Sequence, residues 1–511
     1  MHEIKLTEKE IEIFDLLKEV NQKLNLGLTL RVAGGWPRDK LLGIETDDID
    51  IAVDNMSGLQ FATKVAEHLG AEKVGVVQSN PDASKHLETA ILEVCGVKLD
   101  FVGFRKEEYD PITRNPIVSQ GDIFTDGFRR DLTINAMYWN LQTNIIEDIT
   151  GEGLKDLHSK YVRLVVPPVK LWNVFGIKNF HEANIHSFTN DPLRVLRSIR
   201  TACKYGFILS EELIAAAKDP QIVSAFRIKI RRERMEIELR KIMTEANPAR
   251  GIKLLKDFGL LYDVFKFPEG YLAWDMDQNT PHHKLTVFDH TMEALNNLQE
   301  IMLKQPNLIK DDKLVMNYAI LLHDTGKLNP QCHGKKVVNG EARTTYYGHE
   351  EHSFVASEYI LRNLPGVSVR EIERVKLLID GSRRVNSNYT PSNEPCRLSR
   401  KALGKFVRLM KEDWVKAVLV QIADATGKDN GLMKTLDMTY YSSMMTNINQ
   451  IGPKSFIDMK PLLDGNEITT ISGLKGKDLG HTIKRLVDWQ LEHPNETKEM
   501  AEKYIKTFRR K

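Results

Sequence analysis

The stretch GGWPRDKLLGIETDDID, residues 34–50, places two glycines shortly before a run of acidic residues that ends in Asp48 and Asp50. Residues two apart on a β-strand project to the same face of a sheet, so the two carboxylates are expected to lie side by side. Like charges at that distance repel each other unless a cation lies between them. The spacing therefore predicts a divalent metal site on a strand.

The composition is that of a globular protein with several domains. The 511 residues are 41% apolar and 28% charged, and a chain of this length predicts about three or four domains. The 72 basic residues nearly balance the 70 acidic ones, so any nucleic-acid surface must be a local patch. Four scattered cysteines without a Cys-x-x-Cys pair argue against a disulfide framework and a thiolate zinc site, and favour a reducing compartment.

The N-terminal sequence does not have the pattern of a secretory or transit signal. No stretch of the sequence reaches the roughly 20 apolar residues of a membrane span. We therefore expect a cytoplasmic protein without a membrane partner. Sharing with an organelle stays open, as does the choice between a monomer and a homodimer.

The hydrophobic pattern changes along the chain. Strand-like runs mixed with short helical stretches predict an α+β domain up to about residue 165, and helical spacing dominates from about residue 190. A loop is expected over 106–127. The expected divisions are an N-terminal helix (1–27), an α+β head (28–166), a linker or insert (167–190), a helical neck (191–265), a helical body (266–430) and a helical tail (431–511).

The glycine pair lies between the strand-like run LTLRVA and a helix start at Pro37. In that geometry main-chain N–H groups can approach a phosphate, although Gly34 and Gly35 could equally form a plain turn. Arg38, at the same helix start, is a further candidate for nucleotide binding. Nucleotidyl transfer needs magnesium held by hard oxygen ligands, and Asp100 in VKLDFVGF is the candidate for a third carboxylate.

The segment FRRDLTINAM carries groups suited to a nucleotide. Arg129 and Arg130 offer forked donors for phosphate oxygens. Asp131 and Asn135 could hold sugar hydroxyls or brace the arginines. The alternative interpretation is a helix start with a charged first turn.

The segment NDPLRVLRSIR suggests a means of selecting a base. Asp191 before Pro192 is typical of a helix N-cap, which is the simpler interpretation. Asp191 and Arg194 also lie one turn apart and could present an acceptor and a donor on one face. Such a pair fits cytosine and adenine, whereas uracil and guanine place a carbonyl where the carboxylate needs a donor. Arg197, one turn further on, is another candidate for nucleotide binding.

Five ordered motifs, GGWPRD...DDID, FRRDLTINAM, DITGEGLKDL, NDPLRVLR and RRERMEIEL, resemble those of the class II tRNA nucleotidyltransferases, the CCA-adding enzymes. The resemblance implies a head of the DNA polymerase beta nucleotidyltransferase type. It implies that the substrates are CTP, ATP and tRNA lacking all or part of its 3' CCA, and that no nucleic-acid template is used. Magnesium is the implied cofactor.

The same resemblance assigns roles to residues within the motifs. It implies magnesium binding by Asp48 and Asp50, nucleotide contact by Arg129, Arg130 and Asp131, pairing with the incoming base by Asp191 and Arg194, and support of the neck helices by Glu233 and Arg234. Two positions depart from the family pattern: Pro37 stands where an apolar residue such as Val is usual, and Asn190 stands where an acid is usual. The segment around 170–189 is longer than expected of bacterial members.

Two further segments extend the resemblance. FRKEEYDPITRNP is similar to the family's flexible loop, which is associated with the switch from C to A addition. The tail sequence LGHTIKRLVDWQLEHPNETKEMAEKYIK is similar to C-terminal helices that hold the tRNA elbow in eukaryotic and related members. Both segments favour a full CCA-adding enzyme that binds tRNA through its tail.

A second constellation lies in the helical body. The order His...His-Asp...His...Asp resembles the HD phosphohydrolase superfamily, whose ligands come from separate helices around one or two metals. The resemblance implies that His290, His323, Asp324 and Asp424 bind a divalent metal, nickel or manganese among the candidates, and that His349 joins a second metal or contacts phosphate. Phosphatase and 2',3'-cyclic phosphodiesterase activities are the implied chemistry.

Alternative functions stay open at this point. A poly(A) polymerase of the same superfamily shares the head motifs but should not select C. A phosphohydrolase or RNA repair enzyme would use mainly the body site. A non-catalytic RNA-binding protein is disfavoured because every expected head carboxylate is present.

Overall fold

The protein forms two compact units. The structure, a computed structural model, describes residues 4–70, 74–77, 89–108, 117–278, 285–305, 307–338, 341–364, 366–386, 398–426 and 431–508. The first unit comprises Met1–Ile242 and Leu254–Leu261, and the second comprises Met243–Lys253 and Tyr262–Lys511. Among the described helices, none has the combination of length and apolar character that a membrane crossing requires.

The strands of the first unit form one mixed sheet and two small ribbons. They are β1 (Leu30–Ala33), β2 (Ile49–Val53), β3 (Gly75–Val77), β4 (Thr89–Val94), β5 (Val97–Gly103), β6 (Arg105–Glu108), β7 (Ile117–Gln120), β8 (Met137–Asn140), β9 (Ile145–Asp148), β10 (Tyr161–Val162) and β11 (Ile208–Leu209). The sheet has the order β3-β4-β5-β2-β1-β8-β9. Within it β2 and β5 are parallel, and the other neighbours are antiparallel.

Thirteen α-helices, α1 to α13, lie in the described residues before 265, in chain order. They are α1 (Glu8–Lys23), α2 (Gly35–Leu41), α3 (Gly58–Leu69), α4 (Ile123–Arg129), α5 (Gly153–Ser159), α6 (Trp172–Phe175), α7 (Phe180–Asn190), α8 (Arg194–Tyr205), α9 (Glu211–Ala217), α10 (Pro220–Lys229), α11 (Arg232–Thr244), α12 (Pro248–Asp257) and α13 (Leu261–Val264). Short 3₁₀ turns lie at Thr133–Asn135 and Val169–Leu171.

The main core of the first unit lies on one face of the sheet, beneath α1 and α3. Strand alternation directs Ile51 and Phe101 into this core, where they meet Leu17 of α1 and Phe61 of α3, all fully buried. Helix α3 approaches β5 closely, because a Cβ built at Gly58 would lie 2.3 Å from the carbonyl oxygen of Phe101. Only glycine permits that spacing. Because the apolar core covers this face of the sheet, the polar functional residues must lie on the opposite face.

The first helix also fixes the position of α2. Glu10 of α1 is buried, and its carboxylate accepts a hydrogen bond from Trp36 Nε1 (2.8 Å) and pairs with Lys40 Nζ (2.9 Å). The buried carboxylate of Glu10 therefore attaches α1 to α2 in a specific position, because leaving either buried donor without this acceptor would lower the free energy of unfolding. The N-terminal helix, predicted as a separate element over 1–27, is therefore an integral part of the head.

Two sequence expectations about loops are corrected. The expected loop over 106–127 begins in β6, contains its ribbon partner β7 and ends within α4; residues 109–116 lie outside the described part. The expected linker or insert over 167–190 contains α6 and α7. Helix α7 packs into the unit, because Phe188 is fully buried and Ser187 Oγ donates to the carbonyl of Val165 at 2.7 Å.

The second unit is helical apart from one antiparallel hairpin in its described part. Its elements are α14 (Val287–Leu303), α15 (Lys310–Leu322), β12 (His333–Val338), β13 (Glu341–Tyr346), α16 (His349–Arg362), α17 (Val369–Asn386), α18 (Arg400–Met410), α19 (Trp414–Thr426), α20 (Gly431–Ile451), α21 (Pro453–Ile457), α22 (Gly465–Ser472), α23 (Gly476–Glu492) and α24 (Lys498–Lys506). The expected α+β head followed by a mostly helical remainder is thus confirmed.

Candidate functional site

Strand register places four residues in one row across the sheet of the first unit. Asp100 of β5 pairs with Asp50 of β2, Asp50 pairs with Ala33 of β1, and Ala33 pairs with Tyr138 of β8. Register partners share a face, and this row lies opposite the core beneath α1 and α3. The small side chain of Ala33 separates the two carboxylates from the tyrosine. Asp48 lies directly before β2, not within the strand.

The glycine turn that follows β1 lies against this row. Gly34 has φ +76°, a left-handed conformation that favours glycine. A Cβ built there would lie 3.1 Å from Arg130 Nη1 and 3.4 Å from Asp50 Oδ2. The main chain at Gly34 is therefore next to both a guanidinium and a carboxylate, and Gly35 begins α2 immediately after it.

The head carboxylates have the chemistry of a site for a hard cation. Burial and the neighbouring carboxylates of Asp48 and Asp100 together raise the pKa of Asp50 to about 6, although Arg130 opposes them. In the described part of the chain these three carboxylates do not form a tight cluster of metal ligands. Oxygen ligands that repel one another are what a bound magnesium ion stabilises. The donor set thus fits the expected metal.

Arg129 and Arg130 are both held by Asp126, a residue that the sequence interpretation missed. Asp126 Oδ1 accepts from Arg129 Nη2 (2.6 Å), and Oδ2 accepts from Arg130 Nη2 (3.0 Å). Arg130 also donates to the hydroxyl of Tyr138 (2.9 Å), and its guanidinium lies over that ring. Burial disfavours an ionised Asp126, but Arg130 and Arg129 outweigh it and hold its pKa below the ordinary value. The i,i+3 and i,i+4 spacing from residue 126 was the available signal.

Asp131 acts as a brace in this structure. It is 8% exposed and accepts from Asn135 Nδ2 (2.9 Å) and from Arg197 Nη1 (3.0 Å). Asn135 in turn accepts from Arg38, and Arg197 also donates to Glu238 of α11 at 3.4 Å. Both carboxylate oxygens of Asp131 thus accept from protein donors, and the predicted nucleotide contact stays a prediction. The brace was one of the two predicted roles, but its arginine is Arg197, not Arg129 or Arg130.

The expected pair of base-selecting residues is engaged with other groups. Asp191 follows α7, and its Oδ2 accepts from Arg234 Nη2 of α11 at 3.1 Å. Its Oδ1 accepts from the main-chain N–H of Leu193 (3.2 Å). The N-cap of α8 is Leu193, so the simpler interpretation of Asp191 as the cap of that helix is corrected. Arg194 is buried and donates from Nη2 to the carbonyl of Arg129 at 2.6 Å. In this structure each of the two side chains therefore has its own protein partner.

The second unit brings together the histidines and aspartates expected in the body. His290 Nε2 and His323 Nε2 lie 2.9 and 3.1 Å from Asp424 Oδ1. Asp324 lies between the imidazoles, with Oδ2 at 3.4 Å from His323 Nε2 and Oδ1 at 3.6 Å from His349 Nε2. The five predicted side chains come from α14, α16, α19 and the end of α15. We refer to these five residues as the body cluster.

The hydrogen bonds around the body cluster orient its ring nitrogens. His323 Nδ1 donates to the carbonyl of Ile320 (2.7 Å), and His349 Nδ1 donates to the carbonyl of Tyr346 (2.9 Å). A carbonyl can only accept, so in each ring Nε2 is the atom left for the cluster, as in metal-binding histidines. Burial disfavours a charged His323, but Asp324 and Asp424 outweigh it and raise its pKa to about 10.

Lys327 is a further member of this site that the sequence interpretation missed. It is buried, and its ammonium donates to Asp324 Oδ2 (2.7 Å) and to Gln278 Oε1 (3.0 Å). Lys327 follows Asp324 by three residues, in a 3₁₀ turn at Thr325–Leu328, and that spacing was the available signal. Its role in this structure is to fix the orientation of the Asp324 carboxylate.

Comparison with known proteins agrees with this geometry. The family model described as "Poly A polymerase head domain" matches residues 30–163, and the one described as "Probable RNA and SrmB- binding site of polymerase A" matches residues 228–271. A mitochondrial CCA tRNA nucleotidyltransferase of Candida glabrata is 30% identical, over 99% of this chain and 96% of its own length. The tRNA nucleotidyltransferase cca2 of Schizosaccharomyces pombe is 27% identical over 99% of both chains.

Solved structures share the fold. A CCA-adding enzyme in its apo form II has a TM-score of 0.61 at 19% identity and covers 98% of this chain and 96% of its own. The Thermotoga maritima CCA-adding enzyme complexed with tRNA has a TM-score of 0.56, also at 19% identity, with coverage of 98% and 96%. The head fold, with its carboxylates and arginines on one sheet face, defines a nucleotidyltransferase. The chain belongs to the CCA tRNA nucleotidyltransferase family, which confirms the sequence-based assignment.

Replacing Asp126 by Asn should impair nucleotide transfer without unfolding the head. The substitution removes one acceptor from two arginines, and a misplacement of about 1 Å can cost up to about 100-fold in rate. We expect kcat/KM for CTP and for ATP to fall about 10- to 100-fold, measured by incorporation into tRNA. Asp122→Asn is the matched control, because Asp122 caps the same helix and Asn caps equally well. If a folded Asp126→Asn variant had wild-type kinetics, the role of Asp126 in positioning Arg129 and Arg130 would be contradicted.

Replacing Asp50 by Asn should stabilise the metal-free protein near neutral pH. Because the folded pKa of Asp50 is raised to about 6, ionisation is easier in the unfolded chain, and stability is lost as pH rises from about 4 to about 6. We expect Asp50→Asn to exceed wild type by about 1–3 kcal/mol at about pH 7.5 in chelator, and the difference to vanish near pH 4. Urea unfolding at both pH values measures it. A wild type that is the more stable protein at pH 7.5 would refute the repulsion.

Proposed function

We propose that this protein adds C, C and A to the 3' end of tRNA from CTP and ATP, without a nucleic-acid template. The observation that carries the proposal is the row of Asp100, Asp50 and Ala33, with Arg130 held over Tyr138 beside it. This arrangement places negatively charged oxygen ligands on the same face of the sheet as a guanidinium that can donate hydrogen bonds to a phosphate. Family membership supports the same reaction.

Magnesium would be held by Asp48 and Asp50, with Asp100 as the third carboxylate. When bound it supplies charge neutralisation for the triphosphate and the attacking 3'-hydroxyl. Arg129 and Arg130, fixed by Asp126, donate to phosphate oxygens. In the transfer, the terminal ribose oxygen of the tRNA bonds to the α-phosphorus and the bond to pyrophosphate breaks. Positioning and charge stabilisation supply most of the rate enhancement.

Base selection is proposed for Asp191 and Arg194. A carboxylate accepts from the exocyclic amine that cytosine and adenine share, and a guanidinium donates to the adjacent ring nitrogen. Arg234 holds Asp191 (3.1 Å), and the carbonyl of Arg129 holds Arg194 (2.6 Å), so each residue is already oriented by a fixed partner. The contact between Arg194 and Arg129 also ties the base-selecting helix α8 to the phosphate-binding arginines.

The decisive experiment uses tRNA that ends at the discriminator base, incubated with CTP, ATP and magnesium. We expect a product longer by three nucleotides, in the order C, C, A, and no extension by an Asp48→Ala/Asp50→Ala variant. A run of A without C would instead indicate a poly(A) polymerase. Addition of CC alone, or of A only to tRNA ending in CC, would restrict the activity to one part of the reaction.

A second function is favoured by the body cluster. His290, His323 and Asp424 each offer one ligand atom within 4.8 Å of the others, and the ring orientations leave Nε2 available. The residues fit a divalent transition metal, because imidazole and carboxylate suit manganese or nickel. We therefore propose that the body cluster, including Asp324 and His349, binds such a metal and hydrolyses a phosphate ester.

When bound, the metal would supply an activated water. In the hydrolysis the water oxygen bonds to phosphorus, the ester P–O bond breaks, and the leaving oxygen takes the proton that the water releases. Lys327 keeps Asp324 in place through its 2.7 Å contact. His349 is half-buried, and its Nε2 lies 3.6 Å from Asp324 Oδ1. It is the candidate for contact with the phosphate or with a second metal.

The metal proposal is tested by metal content. Untagged protein is dialysed against manganese or nickel, freed of excess metal and analysed by inductively coupled plasma mass spectrometry. We expect at least one equivalent in the wild type and its loss in His290→Ala/Asp424→Ala. His481→Ala, an exposed tail histidine, is the matched control. Equal metal content in all three proteins would reject the body cluster as the binding site.

A further inference from the structure

A basic hairpin lies directly beside the body cluster. Strands β12 and β13 form a separate two-stranded ribbon that pairs His333 with Tyr346 at its base and Val338 with Glu341 at its far end. The ribbon joins no larger sheet among the described strands. The family resemblance gave no role to this segment.

The base of the hairpin is attached to the residues that build the cluster. His333 Nε2 hydrogen-bonds the carbonyl of Lys327 (2.7 Å), and Lys327 in turn holds Asp324. The Tyr346 hydroxyl donates to the carbonyl of Gln278 (2.8 Å), and the Tyr346 carbonyl accepts from His349 Nδ1 (2.9 Å). The hairpin and the cluster are therefore positioned together.

Register and alternation assign the basic residues to the two faces of the hairpin. Lys335 shares the face of His333 and Tyr346, which contact Lys327 and His349 respectively. It lies two residues further out, about 7 Å along the strand. Lys336 lies on the other face, opposite Arg343. Both lysines are exposed, so the hairpin carries positive charge on each side of its path away from the cluster.

An exposed aromatic ring lies on the second face. Tyr347 is 67% exposed, although its ring packs across the backbone of β12. A Cβ built at Gly334 would lie 2.7 Å from Tyr347 Cε2, so the glycine provides the space in which the ring lies. Lys336 shares this face with the ring. A lysine and an exposed aromatic ring on one face are groups that bind single-stranded nucleic acid, through a phosphate and through base stacking.

We propose that the β12–β13 hairpin binds a single RNA strand whose terminal phosphate ester lies in the body cluster. Lys335 and Lys336 contact backbone phosphates, and Tyr347 stacks on a base. The preferred substrate of the body cluster is then an RNA end, because a free mononucleotide has no backbone to reach the lysines. The inference rests on the proposed phosphate-ester hydrolysis for its chemistry, but the docking surface can be tested without it.

The docking surface is tested by photo-crosslinking. Full-length protein is irradiated with a short oligoribonucleotide that ends in a 2',3'-cyclic phosphate and carries 4-thiouridine near that end, and crosslinked peptides are mapped by mass spectrometry. We expect crosslinks within residues 333–347, lost in Lys335→Ala/Lys336→Ala/Tyr347→Ala. Crosslinks confined to other segments would overturn the proposal.

Hydrolysis of two substrates tests the substrate class. For the oligoribonucleotide we expect Lys335→Ala/Lys336→Ala to lower kcat/KM about tenfold or more. The slope of the logarithm of the binding constant against the logarithm of the salt concentration should become shallower by about 0.7 for each phosphate contact that is lost. Hydrolysis of 2',3'-cyclic AMP should stay within about twofold of wild type, since the cluster is unchanged. Tyr347→Phe should behave as wild type, whereas Tyr347→Ala should lose about fivefold or more on the oligoribonucleotide.

Lys310→Ala, which removes an exposed lysine of α15, is the control for a general loss of charge. Equal losses on both substrates, or none on the oligoribonucleotide, would overturn the proposal. If the wild type hydrolyses neither substrate, the hydrolytic function fails, and the crosslinking map alone then decides whether the hairpin binds RNA.

Discussion

The register between β1, β2, β5 and β8 is the constraint on which the head depends. It sets Asp100, Asp50, Ala33 and Tyr138 in one row, so two carboxylates share a face with the tyrosine that holds Arg130. A shift of one residue in any of these strands would turn its side chain into the apolar core. The core beneath α1 and α3 therefore fixes the register, and the register fixes the charges.

The sequence predicted those parts of the head that depend on local spacing. The glycine turn beside Asp50 and the arginines of FRRD depend on residues close to them in the chain. The pairing of Asp48 with Asp50 on one strand stays a prediction, because Asp48 lies before β2. The face occupied by Asp100 could not be predicted, since it depends on pairing between β2 and β5. The role of Asp131 was uncertain for the same reason, because its arginine partner lies 66 residues away. Helix α7 was missed because much of its length is polar.

The body cluster shows the same division between local and tertiary information. The motif His-Asp at 323–324 indicated a ligand pair, and His290 and Asp424 were expected to join it. Their distances depend on how α14 and α19 pack, which spacing alone does not determine. The two sites also differ in chemistry. The head offers oxygen ligands that repel one another, whereas the body cluster mixes imidazoles with carboxylates in hydrogen-bond contact.

The chain of contacts from Arg38 through Asn135, Asp131 and Arg197 to Glu238 links the glycine turn to the neck helix α11. Each link is a side chain whose partner belongs to a different element. Exchange of segments between relatives, by recombination or in the laboratory, would therefore need to carry α2, α8 and α11 as one inherited block. A chimera joined between the head and the neck would separate these paired charges, however well the two halves fold.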